Sequence, residues 1–228
     1  MKYREDLPAA LKYLTFDLQG GLKIGICGRT GSGKSSTVLA LFRGIDQHLI
    51  TGKILIDGVD TTIPMHHVRE SMSIVTQDPF LWHRSIRENL DVINERTDSE
   101  IWETLKLVEM HDAVSALEGK LDHLVQVVDE ESFSKGQRQL LCLVRALLRK
   151  RKIIVLDDMD HISDEKIRHV ADTQMKDLTV LAIAHRISTI VNYHKILVLD
   201  NGSIAEFDDP TIRSACCYSG HLPSRPCP

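Results

Sequence analysis

The sequence contains no apolar run approaching the roughly 18 residues that a membrane-spanning helix needs. Its first residues, MKYREDLP, lack the apolar stretch of a secretory signal, so the chain is expected to be soluble by itself, with any membrane role arising through a partner. It also lacks an excess of charge. A net charge of −4 and a pI of about 6.2 exclude the basic surface that nucleic acid requires. Cysteine is sparse and unpatterned: Cys27, Cys142, Cys216, Cys217 and Cys227 form an odd set with no CxxC pair, which excludes metal-ligand spacing and points to a reduced, cytosolic setting. Cys27 and Cys142 sit in apolar runs and read as buried thiols. No internal repeat or low-complexity tract breaks the chain. What remains is ordinary globular composition, with enough apolar content for one domain, or one domain with a lobe.

Short Ile/Val-rich runs alternate with longer helical stretches. The runs are Lys23–Cys27, Lys53–Ile56, Ser73–Thr76, Ile153–Leu156, Thr179–Ala184 and Lys195–Leu199. Such alternation predicts an α/β fold with a mostly parallel sheet. Asn201-Gly202 between Lys195–Leu199 and Ser203–Phe207 predicts a hairpin. A helix is expected after Gly33, with Val38, Leu39, Leu41 and Phe42 inward, and another over 135–150, with Leu140, Leu141, Leu143, Val144, Leu147 and Leu148 inward. The stretch from about 85 to 135 reads as an inserted helical lobe. The text after Pro210 has no periodicity and many breakers; it is expected to be a disordered tail over 211–228, leaving 1–210 as the domain.

Gly28-Arg29-Thr30-Gly31-Ser32-Gly33-Lys34-Ser35 fits GxxxxGK[ST], follows a strand run and opens a helix. A chance glycine-rich turn would lack that context. The glycines let backbone N–H groups wrap phosphates, and the helix N-terminus, continuing through Ser36, adds partial positive charge. Lys34 is expected on the β- and γ-phosphates of ATP, and the Ser35 hydroxyl on Mg²⁺. Ile153–Asp157 is an apolar run ending in an acid. Beside a P-loop, a carboxylate at the end of a buried strand suits a second Mg²⁺ contact. The stretch between Lys34 and Asp157 is far longer than a minimal P-loop fold needs. It contains Phe133-Ser134-Lys135-Gly136-Gln137, which is similar to the ABC signature usually written LSGGQ.

With the P-loop and the acid-ended strand, that motif identifies a resemblance covering roughly residues 2–210. The chain resembles the second nucleotide-binding domain of the multidrug-resistance-protein subfamily (subfamily C) of ABC transporters, of fungal type, in a truncated or degenerate version. The implied fold is a P-loop core with an antiparallel β lobe and a helical lobe. The resemblance also assigns roles. Tyr3, in YREDLP, matches the aromatic that stacks on adenine. Gln77, in VTQDPF, matches the Q-loop residue that touches Mg²⁺ and couples to membrane domains. Ser134, Gly136 and Gln137 match signature residues facing the γ-phosphate held by a partner domain; Ser134 also reads as the N-cap of the next helix. His185, in AIAHR, matches the switch histidine. Tyr3 otherwise reads as a surface tyrosine, Gln77 as a strand-end polar group and His185 as a core histidine. His66-His67 diverge as neighbours and read as solvated surface. Trp82 and Trp102 read as packing.

The family places a catalytic glutamate directly after the acid of this strand. Here Asp158 follows Asp157, then Met159-Asp160. One alignment is a four-residue deletion just after Asp157, leaving Met159-Asp160 as the D-loop remnant; the other makes Asp158 the substitute for glutamate. The first removes the glutamate, and in the second aspartate holds its carboxylate about 1.5 Å further back, so on either alignment water activation is compromised. Lys135 puts a cation where the signature often has a small or apolar residue. It would either strengthen binding or obstruct pairing. The family's first strand, before Tyr3, is not present in the sequence. The expected function is therefore an ATP-binding domain of an ABC exporter, an ATPase by family, working with a second nucleotide-binding domain and transmembrane domains at the cytoplasmic face of a membrane, with impaired hydrolysis. The alternative is a non-hydrolysing Mg-ATP-binding and pairing module, or a non-functional fragment.

Overall fold

A computed structural model describes residues 1–61, 69–126, 133–157, 169–170, 173–184 and 190–210. Its frame is a six-stranded sheet, ordered β4-β5-β6-β1-β7-β8. The strands are β1 (Lys23–Gly28), β4 (Met72–Val75), β5 (Ile153–Asp157), β6 (Thr179–Ile183), β7 (Lys195–Asp200) and β8 (Ser203–Asp208). All neighbours run parallel except β7 and β8, which form the antiparallel hairpin expected at Asn201-Gly202. Asn201 and Gly202 both take positive φ, as the tight turn demands.

The strands read as continuous apolar runs because both faces are covered. Alternate residues face two cores. Ile154 and Leu156 join Val180, Ala182, Ile196 and Val198 on one side. Val155 joins Ile24, Ile26, Leu181, Ile183, Leu197 and Leu199 on the other, with Val38 of helix α1 (Lys34–Leu41). The first core is capped by helices α2 (Ile86–Leu90), α3 (Asp98–Leu107), α4 (His111–Ser115) and α5 (Lys135–Leu148). Leu143 and Val144 of α5 are fully buried; each such side chain contributes about 1.5–3 kcal/mol. Cys142 is buried and Cys27 half-buried, close to expectation.

One expectation needs correction. Only Leu55–Ile56 (β2) of Lys53–Ile56 forms a strand. It pairs antiparallel with Val59–Asp60 (β3) around Asp57-Gly58, outside the main sheet, and Leu55 is exposed. Asp-Gly with positive φ at both residues is a hairpin signal that ends β2 early. In α1, as expected, Val38 is buried, and Leu41 and Phe42, half-buried, pack against the same core. Lys34, Ser36 and Thr37 are buried too, because the helix N-terminus lies beneath the glycine-rich loop.

Helices α2, α3 and α5 each start with a capping box: Ser85/Glu88, Thr97/Glu100 and Ser134/Gln137. Glu100 accepts from the Thr97 N–H at 3.0 Å and from Lys150 Nζ at 3.0 Å. The Thr97 backbone bond, followed by the Lys150 contact, lowers its pKa to about 2 from an ordinary value of 4.5. A lowered carboxylate stabilises the fold above its unfolded pKa and loses that effect as pH falls through the folded value. Glu100→Gln keeps the cap but removes the charge. It is expected to melt slightly below wild type at pH 7, with the deficit shrinking between pH 4.5 and 2. Thermal melts across that window check this; a pH-independent deficit would refute the linkage.

Candidate functional site

Parallel strands deliver their carboxyl ends to one edge, the usual place for a ligand in such sheets. β1 ends there at Gly28, opposite Leu199 of β7. β5 ends there at Asp157, opposite Ile183 of β6. β4 ends at Val75, opposite Leu156, two residues before Gln77. β6 lies between β1 and β5, and Ala184 N–H donates to Ile26 O at 3.0 Å. The topology thus gathers the glycine loop, Asp157 and Gln77 along one rim.

The loop itself is cut to glycine. Gly28 has φ +150, and a Cβ there would run into the carbonyl of Leu199 and approach Ser32 Oγ to 2.6 Å. Gly33, the residue before α1, has φ +107, and a Cβ there would come within 2.8 Å of a Leu11 side-chain methyl, which has more freedom to move than the Leu199 carbonyl. Lys34 is buried, and its Nζ donates to the carbonyls of Gly28 at 2.8 Å and Arg29 at 3.1 Å, folding the ammonium back over the loop. Arg29, Thr30 and Gly31 form the exposed crown, and Ser35 opens to solvent. Ser32 Oγ is buried and has no hydrogen-bond partner among the described residues. A buried hydroxyl left unpaired costs about 1–3 kcal/mol. This hydroxyl, the buried ammonium and a cradle that admits no Cβ suit an anionic, phosphate-like group. The Ser35 hydroxyl with the Asp157 carboxylate and Gln77 amide on the same rim is an oxygen set of the kind Mg²⁺ takes. Tyr3 shares a 2.7 Å hydrogen bond between its hydroxyl and Ser36 Oγ, which sets its ring beside the first turn of α1.

The motif Ser134–Gln137 stands at the N-terminus of α5. Ser134 Oγ accepts from Gln137 N–H at 3.2 Å, and Gln137 Oε1 accepts from Ser134 N–H at 2.9 Å. Both side chains thus cap their own helix rather than bonding to the glycine loop of the same chain. Gly136 is half-buried within the first turn. Lys135 Nζ pairs with Asp78 Oδ1 at 3.2 Å, so its cation is turned toward the segment that follows Gln77.

Asp158, Met159-Asp160, His185 and His66-His67 lie outside the described residues. Sequence reasoning missed three polar side chains that organise the rim. Gln139 is fully buried and donates from Nε2 to Gln77 O at 3.0 Å. Asn89, also buried, accepts from Trp82 N–H at 2.7 Å and donates to Trp82 O at 2.9 Å. Arg145 donates to Asn89 O at 2.7 Å and Phe80 O at 3.1 Å, and its guanidinium lies 4.4 Å over the Trp82 ring. Burial draws the Arg145 pKa below the ordinary arginine value. The available signal was a polar residue inside an inward-facing helical stripe. Trp82 packs through this cation–π contact and against Phe80, and Trp102 packs against the core.

The family model described as ABC transporter matches residues 11–161, which hold both the glycine loop and Asp157. The chain belongs to the ABC transporter family. Members of this family are ATPases, and its domains bind ATP. ABC transporter C family member 5 of Dictyostelium discoideum is 44% identical over 217 residues, 93% of this chain and 15% of the relative. The oligomycin resistance ATP-dependent permease YOR1 of Saccharomyces cerevisiae is 43% identical over 250 residues, 96% of this chain and 17% of its own. ATP-binding cassette sub-family C member 3 of Rattus norvegicus is 44% identical over 215 residues, 92% of this chain and 14% of its own. Two of these relatives are named as C-family members, the subfamily that the sequence resemblance implied. This ABC chain spans 14 to 17% of the length of these curated relatives. Among its described residues no helix is long and apolar enough to cross a membrane.

Proposed function

We propose that this chain is the Mg-ATP-binding domain, over residues 1–210, of an ABC exporter of the C family, with 85–135 as its helical lobe. The observation that carries the reading is the glycine cradle itself: a positive-φ Gly28 with no space for a Cβ, a buried Lys34 ammonium and an unpartnered Ser32 hydroxyl at one helix N-terminus. In this reading Lys34 neutralises the β- and γ-phosphates, backbone N–H groups of 29–36 donate to them, and Ser35, Asp157 and Gln77 hold Mg²⁺. Tyr3 stacks on the adenine, with Ser36 steadying its hydroxyl. Ser134, Gly136 and Gln137 serve the nucleotide of a second domain, and His185 senses its own γ-phosphate. Transport through separate membrane domains, at the cytoplasmic face, is part of the same proposal.

Melting and light scattering with Mg-ATP test it together. Wild type is expected to gain Tm and mass on adding Mg-ATP. Lys34→Ala should lose both, because the phosphate cation is gone. Ser134→Arg should keep the Tm gain and lose the mass gain. A Tm response equal in wild type and Lys34→Ala would sink the nucleotide assignment.

Hydrolysis is proposed to be impaired. The support is the sequence: a four-residue deletion just after Asp157 removes the family's glutamate and shortens the connection, so no carboxylate is in place to orient water. Replacing Asp158 by Glu-Ala-Thr-Ser-Ser restores carboxylate and spacing together, and is expected to raise single-turnover ATP cleavage at least tenfold. Asp158→Glu alone should recover little. Equal recovery by both would mean that Asp158 already occupies the catalytic position.

A further inference from the structure

One face of α5 holds the segment that follows β4. Lys135 pairs with Asp78 at 3.2 Å. One turn on, Gln139 donates to Gln77 O at 3.0 Å. Another turn on, Cys142 Sγ lies 3.7 Å from Phe80 O, and Arg145 then donates to Phe80 O and covers the Trp82 ring. Spacings of four, three and three put these side chains in one stripe of a helix. Most of the stripe handles residues 78–82; Gln139 alone of the four is fully buried and grips the peptide of Gln77.

We propose that Gln139 is a positioning residue for the Mg²⁺ contact of Gln77. The inference rests on the reading of Gln77 as a metal contact. Burying an amide costs free energy unless its hydrogen bonds are made. A leucine or methionine would fill this space without that cost, so the amide earns its place through the bond it donates. Its acceptor is the carbonyl of Gln77, two residues beyond the Val75–Leu156 pairing that anchors β4 to β5, the strand ending at Asp157. The strand register fixes where the Gln77 backbone stands, and the Gln139 amide fixes how its peptide plane is turned. Together they set the direction in which the Gln77 side chain leaves the backbone, on the rim shared with Asp157. Without the amide the peptide rotates, a smaller fraction of molecules presents Gln77 to the metal, and apparent metal affinity falls by that fraction.

The test uses the full chain and measures ATP affinity by calorimetry, in EDTA and in excess Mg²⁺. Gln139→Met keeps length and packing, and Gln139→Leu provides a second shape should the first fold poorly. Each is expected to cut the Mg²⁺-dependent gain in affinity about tenfold while changing affinity in EDTA less than twofold. Gln77→Ala should cut the gain at least as far, and Gln139→Met added to Gln77→Ala should then change nothing further. A residue that merely supports the fold would weaken both conditions alike and add to Gln77→Ala. Such parallel losses, or a full Mg²⁺ gain in Gln139→Met beside a reduced one in Gln77→Ala, would overturn this inference alone. A full gain in Gln77→Ala would overturn it together with the reading of Gln77.

Discussion

Arg145→Ala is expected to lower stability by about 3 kcal/mol, a fall in Tm on the order of 6–12 °C for a domain of this size. The loss has three sources. The carbonyls of Asn89 and Phe80 lose a charged donor, and a hydrogen bond to a charged group is worth about 1.5–3 kcal/mol. Asn89 Oδ1, which also accepts from Trp82 N–H, loses its 3.3 Å contact with the guanidinium. The Trp82 face loses its cation, worth about 0.5–2 kcal/mol. Arg145→Lys should recover only part, since one ammonium cannot reach the acceptors that a fork spans. Denaturant melts of the three proteins decide it. A loss below about 1 kcal/mol would show that the loop over 80–85 stands without the arginine.

Gly28→Ala should be more damaging still. Its φ of +150 already strains any side chain, at about 1–3 kcal/mol. The new Cβ also meets the Leu199 carbonyl, a backbone atom at the end of the β1–β7 ladder whose residue is also paired with Ile204 of β8, so it cannot swing aside freely. Either the ladder or the glycine loop must move. The expected result is a loss above about 3 kcal/mol and no Tm response to Mg-ATP. Gly31→Ala is the control. Its φ is +80, but nothing lies within 4 Å, so only strain of about 1 kcal/mol is expected. Equal melting curves for the two variants would refute the close-approach argument.

These two sites differ in how readily the sequence discloses them. Gly28 was legible because the phosphate loop is local: its glycines, lysine and serine stand in one window between a strand and a helix. Asp157 and the capping pair Ser134/Gln137 are local signals too. Arg145, Asn89 and Gln139 were not legible. Arg145 and Gln139 bond to groups 56 to 65 residues away, and Asn89, though it bonds to Trp82 seven residues off, is the far partner of Arg145; no periodicity announces such a pairing. The α1 face was legible in its apolar part, since Val38 is buried and Leu41 and Phe42 pack on the core, but not in its polar part. Its apolar residues were read as the inward side, but tertiary placement under the loop buries Lys34, Ser36 and Thr37. The strand runs succeeded because a sheet covered on both faces needs continuous apolar sequence. Lys53–Ile56 was overextended because the Asp57-Gly58 turn was not weighed against the run before it.

The central position of β1 has a consequence for the order of assembly during synthesis. Both its neighbours, β6 and β7, are made long after it. The N–H groups of Gly21 and Lys23, at its leading end, bond to side chains 158 and 171 residues downstream. At translation speeds of about 5–20 residues per second, β1 waits on the order of 10–30 s for its partners. Glycine loop and lysine emerge early, but their seat, formed by Leu199 opposite Gly28 and by Gly202 N–H on Ser32 O, emerges near the end of the sheet. A ribosome halted before the β7–β8 hairpin therefore carries a complete phosphate-loop sequence with no formed cradle.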